Sequence, residues 1–289
     1  MANFTKRVPE NVAGDFFVDA TCIDCDTCRQ IAPRIFGEAT ESAFVHTQPQ
    51  TERDRRDSLR ALVSCPTGSI GTTGPDDPKQ VMDDFPLPID GSVYYCGFNS
   101  PKSYGGNAYF VRHPQGNWLI DAPKYLPRLV RRLEALGGIA NIFLTHRDDV
   151  ADAARYARHF GSHRFIHRAE LASQPDAEAV FDGPEPIELA PGFAAIPTPG
   201  HTAGHTCLLV ENRWLFTGDH LDFDRDRQRL YASYDYCWHS WPQQIESIEK
   251  LAEFDFEWVL PGHGQRVQLP ADEMKRQLHE LAGRMRQRG

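Results

Sequence analysis

The residues of this chain that could do chemistry fall into two groups. Cys22, Cys25 and Cys28 follow the pattern C-x2-C-x2-C, and Cys65 stands well downstream, followed at once by Pro66. Three thiolates in one tight turn plus a remote fourth supply the soft ligands that a cubane iron–sulfur cluster takes. A structural zinc site is the alternative, but zinc usually pairs two C-x2-C knuckles. The second group lies further on. Four apolar runs each stop on a metal-binding residue type: Thr145-His146-Arg147-Asp148, Pro199-Gly200-His201, Thr217-Gly218-Asp219 and Pro261-Gly262-His263. Imidazole together with carboxylate suits zinc, iron or manganese, and a neighbouring glycine lets the backbone turn tightly beside an ion.

These residues need elements to position them. Between the cysteines, Thr51 to Val63 has the spacing of an amphipathic helix, and its mixed charges read as a solvated face. Residues 76–90, rich in Pro and Asp, read as a linker between a domain at 1–75 and a larger one at 91–289. In the larger domain, strands are expected at Val93–Phe98, Ala108–Arg112, Asn117–Asp121 and Ile139–Thr145, with a helix at 125–136 stopped by Gly137-Gly138. Val150, Ala153, Ala154, Ala157 and Phe160 share one helical face. Asp149 then reads as the N-cap of that helix and Asp152 as a carboxylate in its first turn. Residues 163–167 form another strand, Ile187–Thr198 a pair turning at Pro191-Gly192, and Thr206–Val210 with Arg213–Thr217 a hairpin across Glu211-Asn212. Helices near 242–253 and 271–287 flank a last strand at 257–260, while Asp222 to Arg229 alternates charge and reads as a solvated loop. Strands first, then mixed elements with ligands at strand ends, predict an α+β protein of sheets packed face to face with helices outside.

Composition narrows the functional classes. The 289 residues carry a net charge of −9, without the basic excess that nucleic acid or an anionic membrane surface attracts. No apolar run approaches the length of a membrane span, and the first ten residues lack a signal-peptide core, so a cytoplasmic protein is expected. Of the seven cysteines, Cys96, Cys207 and Cys237 are left over, an odd number that argues against a disulfide framework.

Two resemblances emerge from these motifs. Cys22 to Cys28, Ala32-Pro33-Arg34-Ile35-Phe36 and Cys65-Pro66-Thr67-Gly68-Ser69-Ile70 resemble a small bacterial ferredoxin holding one [4Fe-4S] cluster. Thr145-His146, Pro199-Gly200-His201-Thr202-Ala203-Gly204-His205, Thr217-Gly218-Asp219 and Pro261-Gly262-His263-Gly264 look like the successive motifs of the metallo-β-lactamase superfamily, with Asn107 to Val111 and Leu119-Ile120-Asp121 matching its opening hairpin. The second resemblance implies a four-layer αβ/βα sandwich with the site along one edge, holding one or two Zn2+ or iron ions. It implies His146, His201, Asp219 and His263 as ligands. Asp148 stands where the family has its second His, and Val150 and Ala151 stand where it has the Asp-His pair of the second metal. The first site can therefore be filled by His146, Asp148, His201 and Asp219, and the second keeps only Asp219 and His263 unless Asp149 or Asp152 moves in. His205 is expected to support the site rather than ligate.

The expected activity is metal-dependent hydrolysis of an ester, thioester or lactone, with Asp219 or Asp148 accepting the proton. The alternatives are a mononuclear-iron oxidoreductase resembling the sulfur dioxygenases, fed electrons by the cluster, and a non-catalytic electron-transfer or sensing module. A small-molecule substrate and a redox partner protein are the expected partners. The short spacing from Asp219 to His263 leaves no room for the domain that nucleic-acid-processing relatives insert.

Overall fold

Thr51 and Asp54 close a capping box at the start of the helix Glu52–Ser64: Asp54 N donates to Thr51 Oγ1 at 3.1 Å and Thr51 N to Asp54 Oδ2 at 3.2 Å. Two orphan N–H groups are thereby satisfied within one turn. The helix buries Leu59 and Ala61 against a core of Phe16, Val18, Ile35, Phe36, Val45 and Ile70. Its basic face is not simply solvated. Arg56 and Arg60 both grip Asp84, and Arg55 pairs with Asp76. These contacts explain why residues 76–90 are not a loose linker: they hold the 3-10 helix Pro78–Asp84 and the strand Leu87–Asp90, and Val81 and Phe85 are fully buried.

The structure, a computed structural model, describes residues 2–288. The chain divides into two compact units, residues up to 117 with 123–138, and residues 118–122 with those from 139 onward. The first unit contains two small antiparallel pairs, Phe16–Val18 with Ile70–Thr72 and Phe36–Glu38 with Ala43–Val45. It also contains the antiparallel strands Leu87–Asp90, Val93–Tyr95 and Tyr109–Val111 and the helix Pro127–Ala135. In this division residues 91–117 and 123–138 fall in the first unit. Arg128 on the helix Pro127–Ala135 pairs with Asp83, tying that helix to the segment 78–84.

The second unit is a mixed α+β sandwich. The strands Trp118–Ile120, Asn141–Phe143, His163–His167 and Ala179–Phe181 run parallel to their neighbours. A six-stranded sheet follows, with Ile187–Ala190, Phe193–Pro197, Thr206–Val210 and Trp214–Gly218 antiparallel in order and Trp258–Pro261 parallel to Trp214–Gly218. Trp118 of the first set stacks on Phe193 of the second, with ring centroids 4.5 Å apart, so the two sheets meet face to face. Outside the second sheet, the helices Trp241–Leu251 and Ala271–Arg288 bury Ile248, Leu251, Leu278, Leu281 and Met285 against Leu209, Leu215 and Val259. The helix Ala153–Phe160 packs on the strand His163–His167. Asp222–Arg229 is no solvated loop: Asp222–Asp224 pairs with Arg229–Tyr231, which lets Phe223 and Leu230 point into the core.

Candidate metal centre

The strand Asn141–Phe143 carries the chain to His146, which is fully buried and extended, and a 3-10 turn over Arg147–Asp149 follows. The tautomer of His146 is set from behind. Asp121 accepts hydrogen bonds from Thr145 N at 2.9 Å and from Thr145 Oγ1 at 2.9 Å, and Thr145 Oγ1 lies 3.0 Å from His146 Nδ1. Because the Thr145 hydroxyl proton goes to Asp121, its oxygen accepts from Nδ1–H, and Nε2 of His146 keeps its lone pair. His201 is fixed in the same sense, for its Nδ1–H donates to the Tyr236 carbonyl at 2.6 Å.

The two Nε2 atoms converge on two carboxylates. His146 Nε2 lies 3.9 Å from Asp148 Oδ2 and 3.6 Å from Asp219 Oδ2, and His201 Nε2 lies 3.7 and 3.8 Å from the same atoms. These gaps are too long for hydrogen bonds. They approach the roughly 3.3 Å between ligand atoms bound tetrahedrally at about 2.0 Å to one ion. Both Nε2 atoms and Asp219 Oδ1 are buried without a hydrogen-bond partner. Buried orphans of this kind are uncommon, and His146, Asp148 and His201 offer ligand atoms within 4.8 Å of one another, as do His146, Asp149 and Asp219, a spacing that fits a cation. His263 Nε2 stands 3.9 Å from Asp219 Oδ2. The site thus brings together all five predicted residues, His146, Asp148, His201, Asp219 and His263.

Asp149 departs from its expected role. It does not cap the following helix, because Ala151 takes a left-handed φ of 33° and the helix starts only at Ala153. Asp152 occupies the N-cap position without capping through its side chain. Asp149 turns inward instead, 2% exposed, with a carboxylate oxygen close to both His146 and Asp219. Burial, and then the charges of Asp219, Asp121 and Asp148, push its pKa well above the usual carboxylate range. Asp121 is pushed up to about 8 by burial. For Asp219 burial acts in the same direction, but His263, His146 and His201 outweigh it and hold the group ionised. Asp148, facing His201, is also lowered.

His205 supports the site from behind. Its Nδ1 meets Thr198 Oγ1 at 2.9 Å, its ring lies 5.2 Å from that of His146, and His220 stacks behind it at 5.2 Å. Burial lowers the pKa of His205 far below its ordinary value and that of His220 to about 3, so both rings are neutral. Gly218, at φ 45°, makes this close packing feasible, since a Cβ there would meet Thr145 Oγ1 at 2.6 Å and His205 Nε2 at 2.7 Å.

In the first unit the four predicted cysteines line one small pocket. Asp24 N and Ala43 N each donate to Cys22 Sγ at 3.4 Å, and Ser69 N donates to Cys65 Sγ at 3.3 Å. Backbone donors aimed at thiolate sulfur suit a cluster, whose negative charge they offset. Arg29 locks the turn by pairing with Asp24 and Asp26, both of which take left-handed φ.

Comparison with known proteins agrees with this geometry. The family model described as the 4Fe-4S single cluster domain of Ferredoxin I matches residues 18–72. The DIM-1 metallo-β-lactamase structure superposes with a TM-score of 0.53 at 14% identity, over 68% of this chain and 95% of that one. This chain has the metallo-β-lactamase fold, with a ferredoxin-type segment before it. Among curated proteins it is 29% identical over 195 residues to the lactamase-like protein adaB of Aspergillus niger, covering 63% of this chain and 57% of that protein. It is 32% identical over 139 residues to the thioesterase pkgB of Emericella nidulans, covering 45% of this chain and 40% of that one. The chain therefore spans about half the length of these relatives.

Three supports of this metallo-β-lactamase-fold site escaped the sequence reading. Asp121 was placed only as a strand end. The Tyr236 carbonyl is a backbone atom, which no side-chain pattern marks. Glu170 is 1% exposed and clamps two ligand loops at once, accepting from Gly204 N at 2.7 Å and Arg147 N at 3.2 Å.

Proposed function

We propose that the chain is a metal-dependent hydrolase of activated acyl bonds, thioesters first, that also carries a [4Fe-4S] cluster. The observation that carries this reading is that His146 Nε2 and His201 Nε2 each lie 3.6–3.9 Å from the Oδ2 atoms of Asp148 and Asp219, both histidines in the ligating tautomer. A bound Zn2+ or similar ion supplies a Lewis acid and lowers the pKa of its water to about 7. The protein's own residues do the rest. Asp219, held ionised by three histidines, anchors the ligand set. Asp148, 41% exposed at its side chain, is the most accessible member, and its Oδ1, 3.8 Å from Arg147 Nε, accepts a proton from the attacking water. The relative named a thioesterase supports a thioester over an ester or lactone.

The competing reading is a mononuclear-iron oxidoreductase held by His146, His201 and Asp219, with electrons from the cluster. One experiment separates them. The protein is purified anaerobically, metal beyond cluster iron is counted, and turnover of an S-acyl thioester is measured beside oxygen uptake. Zinc with thioester turnover is expected. One non-cluster iron with oxygen uptake and no hydrolysis replaces hydrolysis by redox chemistry, and no metal beyond the cluster sinks both.

A further inference from the structure

Thr27 stands two residues beyond Cys25, and its Oγ1 lies 3.4 Å from Cys25 Sγ. The group on the other side of that hydroxyl comes from far along the chain. Asn99, 2% exposed, donates from Nδ2 to Thr27 Oγ1 at 2.9 Å and to the Gly105 carbonyl at 2.6 Å. Its Oδ1 accepts from the Tyr95 hydroxyl at 2.6 Å. The orientation of the amide is fixed by chemistry: a carbonyl can only accept, so the nitrogen must face Gly105 and Thr27. The Thr27 oxygen therefore accepts from Asn99, and its own proton is left for Cys25. A thiolate carries no proton, so once Cys25 is a ligand the Thr27 hydroxyl is the donor of that pair.

The connection that carries Asn99 also touches the cysteines directly. A Cβ at Gly105, where φ is 86°, would lie 2.8 Å from Cys25 Cβ, 3.0 Å from Cys25 Sγ and 2.9 Å from Pro66 Cγ. Asn99 N donates to the Ser64 carbonyl at 3.2 Å, one residue before Cys65. The ferredoxin match ends at residue 72. This wall of the cysteine pocket is thus supplied from outside it, by the connection between the strands Val93–Tyr95 and Tyr109–Val111.

We propose that Asn99 and Thr27 form a hydrogen-bond relay onto the Cys25 sulfur, through which the connection 96–108 raises the reduction potential of the bound cluster. The inference rests on the cluster reading above and goes beyond it. The four cysteines decide that a cluster binds; the relay acts on how readily it takes an electron. A donor to thiolate sulfur offsets negative charge, and the reduced cluster carries more of it, so the bond favours reduction. Asn99 strengthens that bond by polarising the hydroxyl from behind. Both are positioning residues, since neither is a ligand.

The test uses the full chain, purified anaerobically with its cluster. The midpoint potential is measured by redox titration, followed by visible absorbance and by electron paramagnetic resonance of the reduced cluster. Thr27→Val keeps the shape and removes the donor. Reduction is expected to become about tenfold less favourable, a midpoint about 59 mV more negative for one electron, with iron and sulfide per chain unchanged. Thr27→Ser restores the hydroxyl and is expected to restore the potential. Asn99→Leu leaves the hydroxyl unpolarised and is expected to shift the potential the same way by less. Should that variant fail to fold, Tyr95→Phe frees only the far end of the amide and is expected to give a smaller shift of the same sign; no shift there overturns the relay. An unchanged potential in Thr27→Val, an equal shift in Thr27→Ser, or loss of cluster with an unaltered potential in what remains also overturns it. An unaltered protein without four irons and four sulfides in the first unit defeats the cluster reading itself, a result distinct from any of these.

Discussion

The cysteine turn of the first unit and the histidine–aspartate site of the second are both ligand sets on loops, but they are held in opposite ways. Two of the thiols are held protonated by burial. Burial raises the pKa of Cys25 to about 11 and that of Cys28 well above the ordinary thiol value. Only the charge of a bound metal group would make thiolates of them, so there the ligand would support its own cradle. In the second unit the protein does the preparation. His146 and His201 already present the correct nitrogen because Thr145, Asp121 and the Tyr236 carbonyl occupy the other one. The difference teaches that a soft cluster site can be written almost entirely in its ligands, whereas a histidine site is written half in the residues behind them.

Three measurements break or sharpen this contrast. The largest effect is reciprocal deletion. Cys28→Ser is expected to abolish the cluster's absorbance while metal in the second unit stays in place, and His201→Ala to abolish that metal and its activity while the cluster's absorbance is unchanged. Loss of both groups in either variant would show that the two sites do not stand independently. A smaller effect is expected from Thr145→Val, which keeps the shape but removes the relay from Asp121 to His146. Metal affinity should fall about 10–100-fold, read by calorimetry, with the cluster untouched. An unchanged affinity would mean that the histidine needs no preparation. The smallest effect is in pH. His220 titrates at about 3 in the fold against 6.5 when unfolded, with burial as the main cause, and His205 is lowered in the same sense. Between these values the unfolded chain binds more protons. The stability that comes from keeping the rings neutral is therefore complete above about pH 6.5 and is lost as pH falls toward 3. Melting temperatures of the metal-free protein should decline through that window, and less steeply in His220→Phe. An equal decline in that variant would remove His220 from the account.

The sequence disclosed these two sites unequally, and the reasons are physical. The cysteine pattern survives translation into structure because three of its members share one turn. The strand-end histidines were legible for a related reason: a buried strand is short and apolar, and its end is abrupt. The elements around them were found within a few residues, down to the hairpin at Glu211 and Asn212, whose φ angles of 51° and 49° are those of a tight turn. Asp149 was misread because its fate depends on one backbone angle at Ala151, which no side-chain pattern encodes. Residues 76–90 carry more local structure than their Pro and Asp content suggests, because Asp84 sits between Arg56 and Arg60. Glu170 could not be found at all, since its partners at Arg147 and Gly204 lie 23 and 34 residues away and offer only backbone N–H groups.

That Glu170 clamp has a consequence for assembly. His146 comes from the end of a strand in the parallel set, and His201 from a loop of the opposing sheet. One carboxylate ties the two loops, so neither sheet alone can complete the ligand set. Occupancy of the metal position is then a gauge of whether the sandwich has closed. An ion that binds only the closed state stabilises it by RT ln(1 + [L]/Kd), so the free metal concentration sets the fraction of molecules whose two sheets have come together.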